Sequence, residues 1–384
     1  MNLSLNKKVA YIGCLGVIGI ISTEFGVIGI LPQIAAYYHL SIGTAGYLLS
    51  LFALTIALTG PFMVLYVSRF DKKKIMLYAL GLFLVSNVGS AFSPPFWVLM
   101  VLRILPTILH PAFFSMAIAA AIKDTSPQIQ MRLTSIIIGG IALAQVTMIP
   151  FTTFIASIYA WQFSYVIQAI VILFTLVIIY RGLPAMPNTK VKSFKNQLSI
   201  LKRPKFIAGT GLNLFLITAW FCAYSYFADF LSKAMGLTDS QISYMLLLFG
   251  VMGVMSNFLA GRLLGKHMIS TTLVFLSGIF LMPFAFQYVT HSFLNISLVV
   301  GFWGVMYGPC FLIGVGYMVS AAQDAKEFAN SLQTSFGNLG VSLGTATGGW
   351  FISHYGITVT PWVGMGFGLL AILMIFWRAW LDRD

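Results

Sequence analysis

The chain has 384 residues, of which 59% are hydrophobic and only 8% are charged, and its formal net charge is +13. A soluble globular protein carries about 25% charged residues, so this composition excludes the soluble class and predicts many membrane-spanning segments. Basic residues collect in the cytoplasmic loops of membrane proteins, so we assign the positive charge to such loops and expect no nucleic-acid partner.

Apolar segments that are long enough to span a bilayer follow one another along the chain. They are continuously apolar, and they are longer than the roughly 9–11 alternating residues of a barrel strand, so they predict helices. The expected fold is an all-α membrane protein with twelve transmembrane helices. The segments lie at about 9–31, 42–66, 75–93, 96–121, 134–158, 162–182, 206–231, 241–264, 270–290, 294–321, 329–353 and 359–380.

The distribution of lysine and arginine predicts how the helices are oriented. With the N-terminus inside the cell, all of the 22 basic residues except Lys233 and Arg103 fall on the cytoplasmic side. Because membrane proteins keep positive charge on that side, we expect both termini to be cytoplasmic.

A polar stretch over residues 183–205, rich in proline and lysine, divides the chain. We interpret it as a cytoplasmic basic linker, in which Ser193 to Leu201 favours a short surface helix. It separates a first six-helix bundle, residues 1–182, from a second one, residues 206–384.

An internal repeat relates the two bundles. The stretch that begins at Tyr47 matches the one that begins at Tyr244, an offset of about 197 residues. Parallel repeats of this kind are typical of transporters whose substrate site lies between the halves near the middle of the membrane.

One carboxylate, Glu24, lies near the middle of the first apolar segment. A charged group at this depth costs about 2.5–3.5 kcal/mol on insertion scales, so it usually has a partner or a function. Arg103 lies eight residues after Pro95, as Glu24 lies eight residues before Pro32, so the two residues have equal depth and can meet. The pair predicts either a proton-coupling site or a structural clamp between two helices.

His110 follows Arg103 by seven residues on the predicted fourth helix. An imidazole titrates near physiological pH, so His110 is either a proton relay or a neutral core residue. The repeat places Phe221 opposite Glu24 and Val300 opposite Arg103. We therefore assign proton coupling to the first half and contacts with the substrate to the second half.

Polar and aromatic residues within the apolar segments are the candidates for a substrate cavity, although each one also fits a packing or interfacial role. The candidates are Gln145, Trp220, Tyr224, Tyr244, Tyr307 and Asn338. Asp229, with Lys233 one turn later, predicts an interfacial residue or a gate near the extracellular mouth. Closely spaced glycines on the eleventh helix, from Gly337 to Gly349, predict close helix packing.

Patterns of catalytic or metal-binding residues are missing from the sequence. It has no HExxH motif, no Ser-His-Asp arrangement and no paired carboxylates. We therefore expect neither an enzyme nor a metal or organic cofactor.

Several motifs together resemble those of the major facilitator superfamily, drug:proton antiporter type, in its bacterial arabinose-efflux-permease-like branch. Relatives in that branch export sugars, purine nucleosides and chloramphenicol-like drugs. The motifs are Glu24-Phe25-Gly26 with Leu31-Pro32, Ala45-Gly46, Gly60-Pro61, the loop Ser68 to Lys73, Arg103 with His110 to Phe114, and Asn338-Leu339-Gly340.

The resemblance implies roles for particular residues. It assigns Arg103 to proton coupling beside the acid of helix 1. It places a cytoplasmic gate at the loop between helices 2 and 3, with its charge network over Arg69, Asp71, Lys72 and Asp124, since Ser68 stands where many members have aspartate. The antiporter motif of helix 5 is matched at Gly140 and Pro150, whereas Met148 and Thr152 stand where glycines are usual.

The sequence therefore predicts a monomeric, multi-pass transporter of the cell membrane, embedded in lipid, that exports a small organic compound in exchange for protons. The resemblance extends this expectation to multidrug efflux and antibiotic resistance. The proton gradient is the expected energy source. A proton-coupled uptake symporter and a non-transporting receptor or scaffold are the alternatives. The expected substrate is a neutral amphipathic compound, with a lipophilic cation as the alternative.

Overall fold

The structure, a computed structural model, describes residues 3–187 and 195–383. Residues 188–194, which include Lys190, Lys192 and Ser193 of the predicted linker, lie outside the described residues. Within the described ranges the regular secondary structure is helical.

Six long helices form the first part of the chain, as the apolar segments predict. Helix α1 extends further than its apolar stretch and passes through Pro32 to end at Tyr37. Helix α2 is preceded by a single turn, Ile42–Ala45, which Ser41 caps. The six helices are α1 (Leu3–Tyr37), α2 (Tyr47–Val67), α3 (Lys72–Ala91), α4 (Phe96–Ile104 and His110–Ala121), α5 (Pro127–Leu143 and Ile149–Ile158) and α6 (Gln162–Gly182).

Six more helices follow the linker, whose described end, Lys195–Lys202, is a 3-10 helix. Helix α7 is broken at Ser225 and Tyr226, and α10 is broken at Gly308 and Pro309. The helices are α7 (Pro204–Tyr224 and Phe227–Lys233), α8 (Asp239–Leu264), α9 (Met268–Tyr288), α10 (Phe293–Tyr307 and Cys310–Ser320), α11 (Lys326–Tyr355) and α12 (Thr360–Leu381).

Among the described residues, 11 helices are long and apolar enough to cross a membrane. The remaining long helix is α11, which has 30 residues but carries many Ser, Thr, Asn and Gln side chains. Its polar composition accounts for the difference from the twelve predicted spans.

Contacts between residues divide the chain into two compact units. The first comprises residues 1–27 and 58–193, and the second comprises residues 28–57 and 194–384. The end of α1 and the start of α2 therefore belong to the same unit as α7–α12. The division of the sequence into 1–182, 183–205 and 206–384 stays a prediction.

The glycines of α11 bring this helix into close contact with α7, which confirms the packing predicted from their spacing. A Cβ atom built on Gly344 would lie 2.6 Å from the carbonyl oxygen of Thr218. One turn later, Gly348 lies against the carbonyl oxygen of Cys222 in the same way. Only a hydrogen atom fits at these positions, so α7 and α11 are packed backbone to backbone.

We expect Gly344→Ala to lower the melting temperature of the detergent-solubilised protein. The added methyl group must push α7 and α11 apart, which costs about 1–3 kcal/mol. Gly366→Ala in α12 is the matched control, because its new Cβ would have nothing within 4 Å. Alanine favours helix over glycine by about 1 kcal/mol, so the control should be as stable as the wild type or more stable. Equal melting temperatures for the two variants would contradict the close packing.

Candidate functional site

Glu24, Arg103 and His110 are buried together in the first unit, with side chains that are 3%, 1% and 4% exposed. Glu24 lies in the middle of α1. Arg103 ends the first segment of α4 and His110 begins the second, and a 3-10 helix, Leu105–Leu109, separates them. Proline has no N–H group to donate, so Pro106 and Pro111 account for this break in α4.

Glu24 and Arg103 meet through the backbone of α1, and the contact that the structure describes for the Glu24 carboxylate is with His110. Arg103 Nη1 donates to the backbone oxygen of Thr23 at 3.2 Å, and Nη2 donates to the backbone oxygen of Glu24 at 3.3 Å. The carboxylate oxygen Oε2 of Glu24 instead lies 3.1 Å from His110 Nε2. The planar guanidinium group bridges two successive carbonyls of α1, and the break in α4 turns His110 toward the carboxylate.

Polar side chains of neighbouring helices surround this turn of α1. Asn87 Nδ2 of α3 donates to Thr23 Oγ1 at 2.9 Å. The Tyr165 side chain of α6 is buried, and its hydroxyl has no hydrogen-bond partner in the described part of the chain. The candidate list from the sequence missed Asn87 and Tyr165, although a buried asparagine in an apolar segment is a usable signal.

The arrangement can bind and release a proton inside an apolar bundle. Arg103 remains charged at all physiological pH values, so it supplies a fixed positive charge to the turn that carries Glu24. A carboxylate and an imidazole can each bind a proton, and these two share one contact, so protonation of either would change the interaction between them. The site therefore combines a fixed charge with a titratable pair.

We expect His110→Ala to change the pH profile of transport. The variant removes the imidazole that contacts the Glu24 carboxylate, so any contribution of that imidazole to proton binding at the site is lost. Initial rates of transport measured in proteoliposomes between about pH 5 and 9 test this, across the range in which histidine titrates. An unaltered profile would identify His110 as a neutral core residue.

The loop between α2 and α3 binds the segment that follows α6. Asp71 caps α3 by accepting from the Lys74 backbone at 3.0 Å, and its second oxygen accepts from the Met186 backbone at 2.6 Å. The backbone N–H of Lys72 donates to the carbonyl of Met186 at 3.0 Å. Lys73, which the candidate list omitted, donates from Nζ to the carbonyls of Tyr180 and Leu183. We call Asp71, Lys72 and Lys73 the loop clamp.

Arg69 lies in the same loop, two residues before Asp71, and Asp124 follows α4. The Arg69 guanidinium stacks on the ring of Tyr66 at 4.6 Å, and its Nε donates to the Tyr66 carbonyl. Asp124 is an exposed residue of the turn after α4, with a φ of 56°. Asp71 and Lys72 thus share a partner, Met186, whereas the contacts described for Arg69 are with other residues.

Helix α5 has two features at its predicted antiporter motif. A Cβ on Gly140 would lie 2.7 Å from the carbonyl oxygen of Cys14, so α5 packs closely on α1. Before Pro150, residues Ala144–Met148 form a π-helical turn, in which the Ile149 N–H donates to the Ala144 carbonyl. Gln145, a predicted cavity residue, lies in this turn and is half-buried. Such turns often occur at functional sites.

Three of the predicted cavity residues lie together in the second unit. The ring centroids of Tyr224 and Tyr307 are 4.7 Å apart, and those of Trp220 and Tyr307 are 6.0 Å apart. Tyr224 also stacks on Phe249, which in turn contacts Trp303. We call these five residues the aromatic cluster. The indole N–H of Trp303 is buried and has no hydrogen-bond partner in the described part of the chain.

The two remaining candidates from the second half lie outside the aromatic cluster. Tyr244 is 56% exposed on the surface of α8. Asn338 is buried on α11, where its amide donates to the Thr334 carbonyl at 3.0 Å. Asp229 is buried too, and the predicted pairing with Lys233 is confirmed at 2.8 Å.

A second buried arginine, Arg378, connects three helix ends in the second unit. It donates to Asp382 at 3.0 Å and to the carbonyls of Lys205 and Tyr317 at 3.2 Å. Asp382 also pairs with Lys205 at 3.0 Å. Burial raises the pKa of Asp382, but hydrogen bonds from Lys205 and Arg378 outweigh it and leave the pKa below its usual value. The sequence alone indicates Arg378 only as one of the cytoplasmic basic residues.

Comparisons with known proteins agree with this architecture. The family model of the Major Facilitator Superfamily matches residues 13–325. The inner membrane transport protein YdhP of Escherichia coli (strain K12) is 26% identical over 366 residues, which are 95% of this chain and 94% of the relative.

Solved structures show the same fold at low sequence identity. A D-xylose-proton symporter has a TM-score of 0.75 at 18% identity, covering 97% of this chain and 96% of the other. The nucleoside transporter NupG has a TM-score of 0.73 at 11% identity, covering 98% and 99%. With its family match, its helices and its buried charged site, the chain is a multi-pass membrane transporter of small molecules that belongs to the Major Facilitator Superfamily.

Proposed function

We propose that this transporter is a proton-coupled antiporter of the cell membrane that exports a small organic compound. The first and second six-helix bundles rock against one another, so that a central site opens alternately to each side of the membrane. The N- and C-termini are cytoplasmic, and the protein acts as a monomer surrounded by lipid. The proton gradient supplies the energy, and the protein needs no cofactor and catalyses no chemical reaction.

The observation that carries this proposal is the buried contact of 3.1 Å between Glu24 and His110, with Arg103 on the adjacent backbone. Ionisable residues inside a membrane protein mark proton pathways. Protonation of Glu24 changes its interactions with His110 and Arg103, and thereby shifts the balance between conformations of the first bundle. A proton that binds from outside then favours one of these conformations, and release of the substrate favours the other conformation.

The aromatic cluster supports a substrate with an apolar face and a hydrogen-bond acceptor. Its rings are packed against one another and buried in this structure, so a conformation that opens the cluster would offer flat apolar surface to a substrate. The buried N–H of Trp303 would then be a donor for a substrate oxygen. The similar fold of the D-xylose-proton symporter and of NupG makes sugar-like and nucleoside-like compounds the first candidates. Drugs of similar size and polarity are the second class.

A proton-coupled uptake symporter is the second candidate. Its support is the similarity in fold to the D-xylose-proton symporter, whose name describes transport together with a proton. Both candidates use the same fold and the same titratable pair. They differ in whether proton and substrate cross in opposite directions or in the same direction.

Flux in proteoliposomes under an imposed pH gradient tests both candidates. A panel of neutral, cationic and sugar-like compounds is presented to the wild-type protein, and proton movement is followed with a pH-sensitive dye. Substrate movement opposite to the proton supports antiport. Substrate movement with the proton supports the symporter. Tight binding of a panel compound without flux would overturn both candidates in favour of a receptor or scaffold.

A further inference from the structure

An apolar groove lies at the start of α7 in the second unit, where the end of the linker meets α11 and α12. It holds about 660 Å³ of space, which is within the size range of ligand sites in proteins. Its lining includes Leu201, Ile207, Thr210, Gly211, Phe336 and Met374. The hydroxyl of Thr210 already donates to the Phe206 carbonyl at 2.9 Å, so the groove offers apolar surface to an occupant.

The groove is open to its surroundings. Leu201 and Ile207 of the lining are exposed, and α12 also exposes Leu373 next to Met374. In a bilayer, apolar surface of this kind faces acyl chains, and a groove left empty would lose the dispersion contacts of its walls. The flexible thioether of Met374 can adjust to the shape of an occupant. An acyl chain therefore matches the chemistry of the groove.

The groove begins at the level of the membrane interface. Trp380, near the end of α12, is exposed, and tryptophan is enriched where lipid meets water. Arg378 donates to the carbonyl of Lys205 at 3.2 Å, so the end of α12 and the start of α7 lie at the same level. Gly211 lies seven residues after Pro204, about 10 Å along the helix axis. The groove thus leads from the interface into the apolar layer.

Basic side chains collect where the groove begins. Arg203 pairs with Asp324 at 2.6 Å, and Lys205 pairs with Asp382 at 3.0 Å. Lys202, at the end of the linker helix, is exposed, and in the described part of the chain it pairs with no carboxylate. Exposed ion pairs contribute little to stability, so Arg203 can also turn toward another anion. The mouth of the groove therefore favours a negatively charged head group.

We propose that this groove is a binding site for an anionic phospholipid, with an acyl chain between α7, α11 and α12 and the phosphate group at Lys202. Basic groups beside the membrane surface attract anionic lipids, and the apolar groove adds the contacts that fix one lipid in place. The bound lipid connects the end of the linker with the second bundle. The site lies within the second unit, whereas Glu24 and His110 belong to the first, so this inference does not depend on the proposed proton coupling.

The test is native mass spectrometry of the full-length protein in detergent, titrated with phosphatidylglycerol or with phosphatidylcholine of the same acyl chains. We expect the first phosphatidylglycerol to bind about fivefold more tightly than phosphatidylcholine, and Lys202→Gln to remove that preference. The matched control is Lys266→Gln, which neutralises an exposed lysine between α8 and α9 in the same unit. The control should keep the preference, because Lys266 lies outside the groove.

A second variant tests the apolar part of the groove. Thr210→Trp fills the space with an indole ring, which displaces two or more methylene groups of the acyl chain and should weaken phosphatidylglycerol binding by roughly tenfold. Its matched control, Leu281→Trp, adds the same ring to an exposed position of α9. If the melting temperature of Thr210→Trp falls, Ile207→Trp, at an exposed position of the lining, takes its place.

A third measurement distinguishes a lipid from a free phosphate compound. Glycerol 3-phosphate carries the charged part of the head group without acyl chains. We expect that it does not displace phosphatidylglycerol at millimolar concentration, because it leaves the groove empty.

The outcomes decide the proposal. A preference for phosphatidylglycerol that both groove variants lose and both controls keep supports it. Equal affinities for the two lipids, an equal loss in a control, or a loss confined to one groove variant overturns it. Displacement by glycerol 3-phosphate overturns it in favour of a phosphate site, and a dimer that excludes lipid overturns it in favour of a second copy of this chain.

Discussion

Replacing Glu24 with glutamine should reduce proton-coupled flux to the level of liposomes without protein. Glutamine has nearly the same shape and can still form a hydrogen bond with His110, but it cannot exchange a proton between pH 4 and 9. Binding of the substrate should survive, because the aromatic cluster belongs to the other unit. The measurement is substrate flux with and without a pH gradient, together with a binding assay on the same preparation.

The matched control for this variant is Asp229→Asn. Asp229 is also a buried carboxylate, but it lies in the second unit and pairs with Lys233 at 2.8 Å. If proton coupling resides in the first half, this control retains gradient-driven flux. Coupled flux that persists in Glu24→Gln, or that is lost equally in both variants, would remove Glu24 from the mechanism.

Replacing Arg103 should have the second-largest effect, and its size should depend on the replacement. The guanidinium donates to two successive carbonyls of α1, whereas a lysine ammonium group keeps the charge and can reach one of them. A hydrogen bond from a charged group contributes about 1.5–3 kcal/mol, so losing one corresponds to roughly a 10- to 100-fold loss of coupled flux. Arg103→Ala loses both bonds and the charge, and should be inactive.

A loss of flux in the Arg103 variants that comes from lower stability must be distinguished from one that comes from lost proton coupling. Arg378→Lys provides the reference, because Arg378 is a buried arginine with a structural set of contacts at the ends of three helices. We expect it to lower the melting temperature while leaving the ratio of protons to substrate unchanged. Equal, near-normal flux in Arg103→Ala and Arg103→Lys would reduce Arg103 to a packing residue.

Much of the fold could be predicted from the sequence, because a lipid-facing helix must be apolar over a length set by the bilayer. The same constraint made Glu24 and Arg103 conspicuous, and counting residues from Pro32 and Pro95 placed them at one depth. Depth depends only on the rise per residue, which hardly varies among helices. A depth estimated by counting residues is therefore still correct when the predicted helix boundaries are slightly wrong.

The partner of the Glu24 carboxylate could not be predicted in this way. The choice between Arg103 and His110 depends on side-chain direction, and that direction depends on the 3-10 helix Leu105–Leu109. A change from 3.6 to about three residues per turn changes the direction in which all later side chains of the helix point. Pro106 and Pro111 signal a disturbance, but the sequence does not specify its form.

The hydrogen bonds of the loop clamp could not be predicted for a different reason. They join Asp71 and Lys73 to backbone atoms of residues 180–186. Because every residue has such backbone atoms, the sequence does not indicate which of them will bind these side chains. The resemblance pointed to the correct loop, and the described contacts of Asp71 and Lys72 lie within the first unit. Their predicted role in a cytoplasmic gate stays a prediction.

The π-helical turn at Ala144–Met148 has a consequence for comparing this chain with its relatives. It accommodates one residue more than an α-helical turn, and each residue of an α-helix advances by about 100°. A relative whose fifth helix is regular would need a one-residue gap here to align by structure. Without the gap, an alignment assigns every later residue of α5, including Thr152, to the wrong side of the helix. Evolutionary inferences about this helix therefore depend on where a single gap is placed.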